Sequence, residues 1–386
     1  MNPPQIVRGA VVLDRYQLVE PIATAKDTSQ IWQAIQLNLS RNVALKIYPL
    51  STDPRRVSRR FEREASSLAK LHHANVVTIH DFGEVWPGQP FLAMELLEGR
   101  TLAEIIEGEP PLDLRRITQL GLQIARGMRA VHEAGIVHRN LKPANLLLTS
   151  RPEDDGNLDV IKILGFGLAR VTATGGEEDV TATAMGSSGS PEYLSPEQIS
   201  QGDPDPRSDV YAIGVILYSL VGGEGPFSGP TKVQVARGHL LEPVPPLSTK
   251  RFARAPSSWF DEVVRQCLEK DPDKRPSSAE ALVTALEGVV EKEARASRPP
   301  GPRIAPSRGA KSSLLEPDPT VFDRPRALPP TPIDESIVNP PSPAEPHDTL
   351  VSQPAYVTPR LSAATIAFIV VGAVLTSLAL WVAFGR

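Results

Sequence analysis

The chain has 386 residues, 41% hydrophobic and 22% charged, with 39 prolines, a single cysteine and a formal net charge of −4. That length allows two or three domains. The lone Cys267 excludes an internal disulfide framework and any multi-cysteine metal site, and the slightly acidic balance gives no electrostatic case for nucleic acid.

No basic stretch followed by an apolar run opens the chain, so no secretory signal is read there. YQLVEPI (16–22), IWQAIQ (31–36) and NVALKIY (42–48) are short runs rich in strand-forming residues, separated by polar turns, and predict an antiparallel sheet. From Arg56 to Leu71 the apolar Val57, Phe61, Ala65, Leu68 and Leu71 recur at spacings of four and three, which is one face of a helix. ITQLGLQIARGMRAVHEAG (117–135) and DVYAIGVILYSLVGG (209–223) are helical by period and length. A small β-rich part followed by a larger helical part predicts two lobes, about 10–97 and 98–290. Residues 291–360 hold 16 of the prolines with nine basic and nine acidic residues, the composition of a disordered linker. Leu361 to Phe384 is 24 residues without a charge. As a helix it would be about 36 Å long, enough for a hydrocarbon core of about 30 Å. One transmembrane helix is therefore predicted over 361–384. It would anchor the chain in an inner or plasma membrane with the N-terminal domain on the cytoplasmic side.

Eight segments carry more specific information. VALK (43–46), FEREASSLAKLHHANVV (61–77), FLAMELLEG (91–99) and HRNLKPANLLL (138–148) are followed by GFGLAR (165–170), GSPEYLSPEQ (189–198), DVYAIGVILY (209–218) and CLEKDPDKRP (267–276). Their order resembles that of protein kinases, bacterial membrane-bound serine/threonine kinases most closely. The resemblance implies an α+β, two-lobed protein-kinase fold with a β-rich N-lobe and a helical C-lobe. It also implies roles. Lys46 would contact phosphates and pair with Glu64. Ile31 and Ala44 would roof an adenine pocket, Leu147 would floor it, Met94 would back it, and Glu95 and Leu97 would supply the hinge backbone. Asn145 would be a residual metal ligand, and Glu197 and Arg275 a large-lobe ion pair. His138 and Phe166 would stack in a hydrophobic spine. Asp209 would brace the catalytic loop, although its place near a helix start also suits an N-cap.

The departures from the family pattern bear on chemistry. Asn140 stands where the family has the aspartate that accepts the substrate hydroxyl proton; an amide hydrogen-bonds a hydroxyl but cannot usefully take its proton. Loss of a general base is worth about 10²–10⁴ in rate. Gly165 stands where the metal-binding aspartate of the Asp-Phe-Gly segment belongs, and Mg²⁺ prefers carboxylate ligands. The nearest acids in sequence, Glu153, Asp154, Asp155 and Asp159, fall towards the turn of a predicted hairpin, a strand length of about 16 Å from the metal position. Near Ala23, Ala25 and Thr28 or Ser29 the family's phosphate-covering glycines are missing.

These departures imply a membrane-tethered pseudokinase, a signalling scaffold or allosteric partner with impaired Mg-ATP use, in which Asn140 and Gly165 are degenerate catalytic positions. The alternative is a weakly active or atypical kinase that transfers the ATP γ-phosphate to protein serine or threonine. No cofactor is assured; ATP or another adenine nucleotide held weakly without Mg²⁺ is the expectation. Thr181 and Thr183 in the activation-like segment are candidate phosphosites, as are Thr320 and Thr331, each followed three residues later by aspartate. The expected partners are an active paralogous kinase and phosphothreonine readers of the forkhead-associated type.

Overall fold

Alternation along Gln30–Gln36 buries Trp32, Ala34 and Gln36, and the neighbouring Arg41–Ile47 buries Val43, Leu45 and Ile47 on the same side. Two such strands cover one face of a sheet. The structure is a computed structural model and describes residues 5–24, 29–51, 53–108, 112–153, 156–166, 191–200, 202–247 and 256–296. All belong to one compact unit, Met1–Ala305.

The strands β1 (Val11–Val12), β2 (Tyr16–Thr24), β3 (Gln30–Gln36), β4 (Arg41–Ile47), β5 (Ile79–Trp86) and β6 (Gln89–Glu95) form an antiparallel sheet in the order β1-β2-β3-β4-β6-β5. Tyr16, Leu18, Trp32, Val43, Leu45 and Phe91 help close a small core on one side of it. Pairing sets Ile31 opposite Lys46 and Ala44 opposite Met94. Directly opposed residues share a face, as do residues two apart, so these four lie together on the other side.

Helix α1 (Pro54–Ala69) buries Val57, Phe61, Ala65 and Leu68, the stripe read from the sequence. It starts two residues before Arg56 because Asp53 caps it, Oδ1 accepting from Arg56 N at 3.3 Å, and Pro54 fits the first turn.

The second lobe contains a small sheet of β7 (Arg100–Thr101), β8 (Leu146–Glu153) and β9 (Gly156–Ile163), in which β8 and β9 form the predicted hairpin. Among the described residues its helices are α2 (Leu102–Gly108), α3 (Leu114–Glu133), α4 (Pro196–Ile199), α5 (Pro206–Gly222), α6 (Lys232–Leu241), α7 (Ser258–Cys267) and α8 (Ala279–Ala296). Every residue of α5 from Ser208 to Val221 is buried, so this apolar helix is the centre of the lobe. Helices α3, α7 and α8 pack against it. Gly214 permits the approach of α7: a Cβ there would lie 2.6 Å from Cβ of Cys267. Cys267 is fully buried, as its apolar setting suggested, and burial pushes its thiol up to about 12.

The two-lobed α+β architecture is thus present. The linker and the predicted span 361–384 lie outside the described residues. Among the described residues, no helix is long and apolar enough to cross a membrane.

Candidate functional site

The loop between α3 and β8 is held from below by α5. Asp209 Oδ2 accepts from the backbone N–H of His138 and from His132 Nε2, both at 2.9 Å, and Oδ1 accepts from Arg139 N at 3.0 Å. The N-cap reading of Asp209 is therefore corrected. The cap of α5 is Asp205, which accepts from Arg207 N at 2.7 Å and is followed by Pro206. Asp209 sits one turn inside the helix, buried, and does the bracing that the resemblance implied. His132 is a third partner that sequence reading missed. The brace, with Gln198 Nε2 donating to Arg139 O at 3.0 Å, holds Arg139 at a left-handed φ of 61°. Such a backbone costs a non-glycine residue about 1–2 kcal/mol.

His138 is fully buried, and its ring lies 4.7 Å from that of Phe166, the stacked pair expected. Its Nδ1 accepts from Asn140 N at 3.3 Å, so the proton resides on Nε2 and is donated to Leu164 O at 2.9 Å. Burial lowers its pKa and keeps the ring neutral.

Around Asn140 and Gly165, amides fill the space. Gly165 has φ +72°, and a Cβ on it would lie 2.5 Å from both Cγ and Oδ1 of Asn145. Asn145 Nδ2 donates to Asn140 O at 2.7 Å, while its backbone carbonyl accepts from Leu164 N at 2.8 Å. The Asn140 side-chain amide points its Nδ2 at Gly165 O, 3.5 Å away. The three residues are thus linked through neutral amide and carbonyl groups. Asp159, the one distant acid whose side chain is described, is ion-paired with Arg116 at 2.5 Å, and Glu153 pairs in register with Gly156 at the hairpin tip. Among the described residues, no three His, Cys, Asp or Glu side chains gather where a metal could sit. One neutral amide without a carboxylate does not fit the donor preference of Mg²⁺.

Of the adenine-pocket candidates, four share one surface. Ile31, Ala44, Lys46 and Met94 share a sheet face, Ile31, Met94, Leu97 and Leu147 are half-buried, and Leu147 opposes Lys162 across the hairpin. Lys46 Nζ lies 4.8 Å from the centre of the Tyr48 ring, and Glu64 forms its ion pair with Arg60 at 3.5 Å. Glu95 has a second task that its place at the hinge did not reveal. Its Oε1 accepts from Thr78 N at 2.7 Å and from Lys162 Nζ at 2.8 Å, tying the sheet to the hairpin of the second lobe. Residues 25–28, Thr181, Thr183, Thr320 and Thr331 lie outside the described residues.

Arg275 uses all five of its N–H groups. It donates to both carboxylate oxygens of Glu197 at 2.8 Å, to Glu269 O at 2.8 Å, and to Arg207 O and Lys270 O at 3.1 Å. Burial alone would raise the Glu197 carboxyl. The hydrogen bonds from Arg275 and Ser208 outweigh it and bring the group down to about 2. This is the large-lobe ion pair implied by the sequence.

The sequence profile of the protein kinase domain matches residues 27–286. Over 309 residues the chain is 35% identical to the serine/threonine-protein kinase pkn3 of Myxococcus xanthus, covering 80% of this chain and 54% of that protein. It is 34% identical over 297 residues to the serine/threonine-protein kinase PknL of Mycobacterium tuberculosis, covering 76% and 71%. Against the serine/threonine-protein kinase PknB of Mycolicibacterium smegmatis it is 34% identical over 311 residues, covering 79% and 47%. The chain thus spans about half the length of pkn3 and of PknB. The solved kinase domain of Mycobacterium tuberculosis PknI shares the fold, with a TM-score of 0.55 at 21% identity over 74% of this chain and 99% of that one.

Proposed function

This chain belongs to the bacterial serine/threonine protein kinase family, and on that premise we propose that its kinase domain acts as a signalling scaffold and binding partner with impaired use of Mg-ATP. The observation that carries the reading is the Asn145 amide standing where a side chain on residue 165 would begin. Phosphoryl transfer depends on neutralised phosphates and a positioned acceptor hydroxyl. Here the metal position offers a neutral amide, and Asn140 can orient a hydroxyl by hydrogen bonding without accepting its proton. What remains is a braced loop, a neutral His138 and a sheet face carrying Ile31, Ala44 and Met94, apolar groups suited to holding an adenine ring weakly and without metal.

The names of the relatives favour the second reading, a weakly active or atypical kinase that transfers phosphate to protein serine or threonine. Retention of Lys46 and the intact Asp209 brace are compatible with it. Radiolabelled phosphate transfer by the full chain, with Mg²⁺ and with Mn²⁺, measured beside its Lys46→Met variant, separates the two. Absence of lysine-dependent transfer supports the scaffold; lysine-dependent phosphorylation replaces it with the kinase.

The scaffold is further proposed to be tethered to a membrane through 361–384. Removing 361–386 should then move the protein to the soluble fraction, and retention on membranes after a high-salt wash would place the anchor elsewhere. An active paralogous kinase is proposed to modify Thr181, Thr183, Thr320 and Thr331, creating sites for a phosphothreonine reader. Unmodified threonines in phosphopeptide maps from cells would remove that part of the proposal.

A further inference from the structure

Helix α1 carries its charge in an unfavourable place. Arg55, Arg56, Arg59, Arg60 and Arg63 crowd its first ten residues, and its first turn has no acidic residue. The N-terminus of a helix is the positive end of its dipole, so cations there oppose it. The pairs Arg55/Arg59, Arg56/Arg60 and Arg59/Arg63 are like charges one turn apart, each destabilising. Of the five, Arg60 alone has an ion pair among the described residues. Asp53 at the N-cap is the acidic group at this end, and among the described residues no carboxylate pairs with the side chains of Arg55, Arg56, Arg59 or Arg63, which leaves these guanidinium groups available to a partner.

The stripe borders a recess. An open cleft of about 510 Å³ between α1 and β5 is lined by Arg59, Glu62, Arg63, Ser66, Phe82 and Gly83. Phe82 is half-buried, packed against the main core, and offers apolar surface beside the two guanidinium groups. Guanidinium forks match carboxylates in paired hydrogen bonds. Glu62 lines the same cleft, so its charge partly offsets the two arginines, and an acidic ligand must engage the Arg59 and Arg63 guanidinium groups directly rather than a uniform cationic field. The apolar ring of Phe82 beside two guanidinium groups suits a peptide that carries an apolar side chain and carboxylates together, a combination that a lipid headgroup does not present at one point.

We propose that this cleft docks an acidic peptide segment of a partner protein, with an apolar side chain against Phe82 and flanking carboxylates on Arg59 and Arg63. The surface lies on a different element from the loop that holds Asn140, and its role stands whether or not phosphate is transferred.

The test uses the full chain and a fluorescent heptapeptide with three glutamates on either side of a phenylalanine, titrated by anisotropy. Saturable binding is expected, weakened at least about tenfold in the Arg59→Gln/Arg63→Gln variant, as loss of one charge-assisted hydrogen bond implies. It should also weaken when salt shortens the screening length. The Arg55→Gln/Arg56→Gln variant, outside the cleft lining, should stay within about threefold, because rim charges screened by water contribute little. Removing like charges should leave the melting temperature of both variants equal to or above that of the unaltered chain, so lost binding is not lost folding. No saturable binding, equal binding of a peptide with glutamine in place of glutamate, or unchanged binding by Arg59→Gln/Arg63→Gln would overturn the proposal. Binding to phosphatidylserine vesicles without binding to the peptide would overturn it in favour of a membrane contact.

Discussion

Replacing Gly165 by alanine adds a single carbon, and the structure says what that carbon meets. Gly165 has φ +72°, and the new Cβ would lie 2.5 Å from Asn145 Cγ and Oδ1. The backbone term is about 1–2 kcal/mol for a side chain in the left-handed region. Displacing the Asn145 amide breaks its 2.7 Å bond to Asn140 O, a further ~1 kcal/mol. Together they predict a loss of about 2–3 kcal/mol. At roughly 2–4 °C per kcal/mol for a domain of this size, Tm should fall by about 4–12 °C. Thermal unfolding followed by circular dichroism, without metal or nucleotide, measures it. In Gly165→Ala/Asn145→Ala the obstructing amide is gone, so the double variant should be less destabilised than the sum of the singles. Gly165→Asp should melt as low as the alanine variant alone, regain stability with Mg²⁺ and ATP, and still not turn over. A Gly165→Ala melt within a degree of the unaltered chain, or strict additivity with Asn145→Ala, would refute the view that the amide fills the aspartate's place.

Arg275→Ala should cost about 3–5 kcal/mol in urea denaturation, because it strands the half-buried Glu197 carboxylate; Arg275→Lys should recover only part, since an ammonium cannot fork. Asp209→Ala removes the acceptor of three donors, and hydrogen exchange should show the His138 and Arg139 amides losing protection while α8 keeps its own. Stability should fall on acidification. Burial holds His239 at about 4 against 6.5 for a free imidazole, so its contribution is present above pH 6.5 and is lost as the pH drops towards 4. Glu197, at about 2 against 4.5, extends the loss below pH 4.5. Denaturation midpoints should accordingly decline from pH 6.5 to 4, and His239→Gln should flatten that decline without abolishing it, because His138 is also held neutral.

Local features of the fold were legible, and the misreadings have physical causes. The α1 stripe of Val57, Phe61, Ala65 and Leu68 is buried as its spacing required. Helices α1 and α5 start before their apolar runs because Asp53-Pro54 and Asp205-Pro206, each a cap followed by a first-turn proline, set the starts. Asp209 resembles a cap only when the apolar run alone is taken to mark the start of α5. Asn140 and Gly165 stand out in the sequence as departures from the family pattern, but the amide packing between them does not, because it depends on two loops meeting in space. His132, Gln198 and the Lys162–Glu95 tie were illegible for the same reason: each acts on a residue far away along the chain. The arginines of α1 were in plain view as a charge run, and only the cleft beside them gives that run a use.

The left-handed backbone at Arg139 is imposed by Asp209 and Gln198, not by the side chain at position 140. The frame that would aim a general base is therefore independent of whether a base is there. In genetic terms, asparagine and aspartate codons differ by a single base. In covalent terms, hydrolysis of an asparagine amide yields aspartate without any new translation. Position 140 thus sits in a backbone frame that accepts either residue, and a change from asparagine to aspartate there needs no rebuilding of the loop.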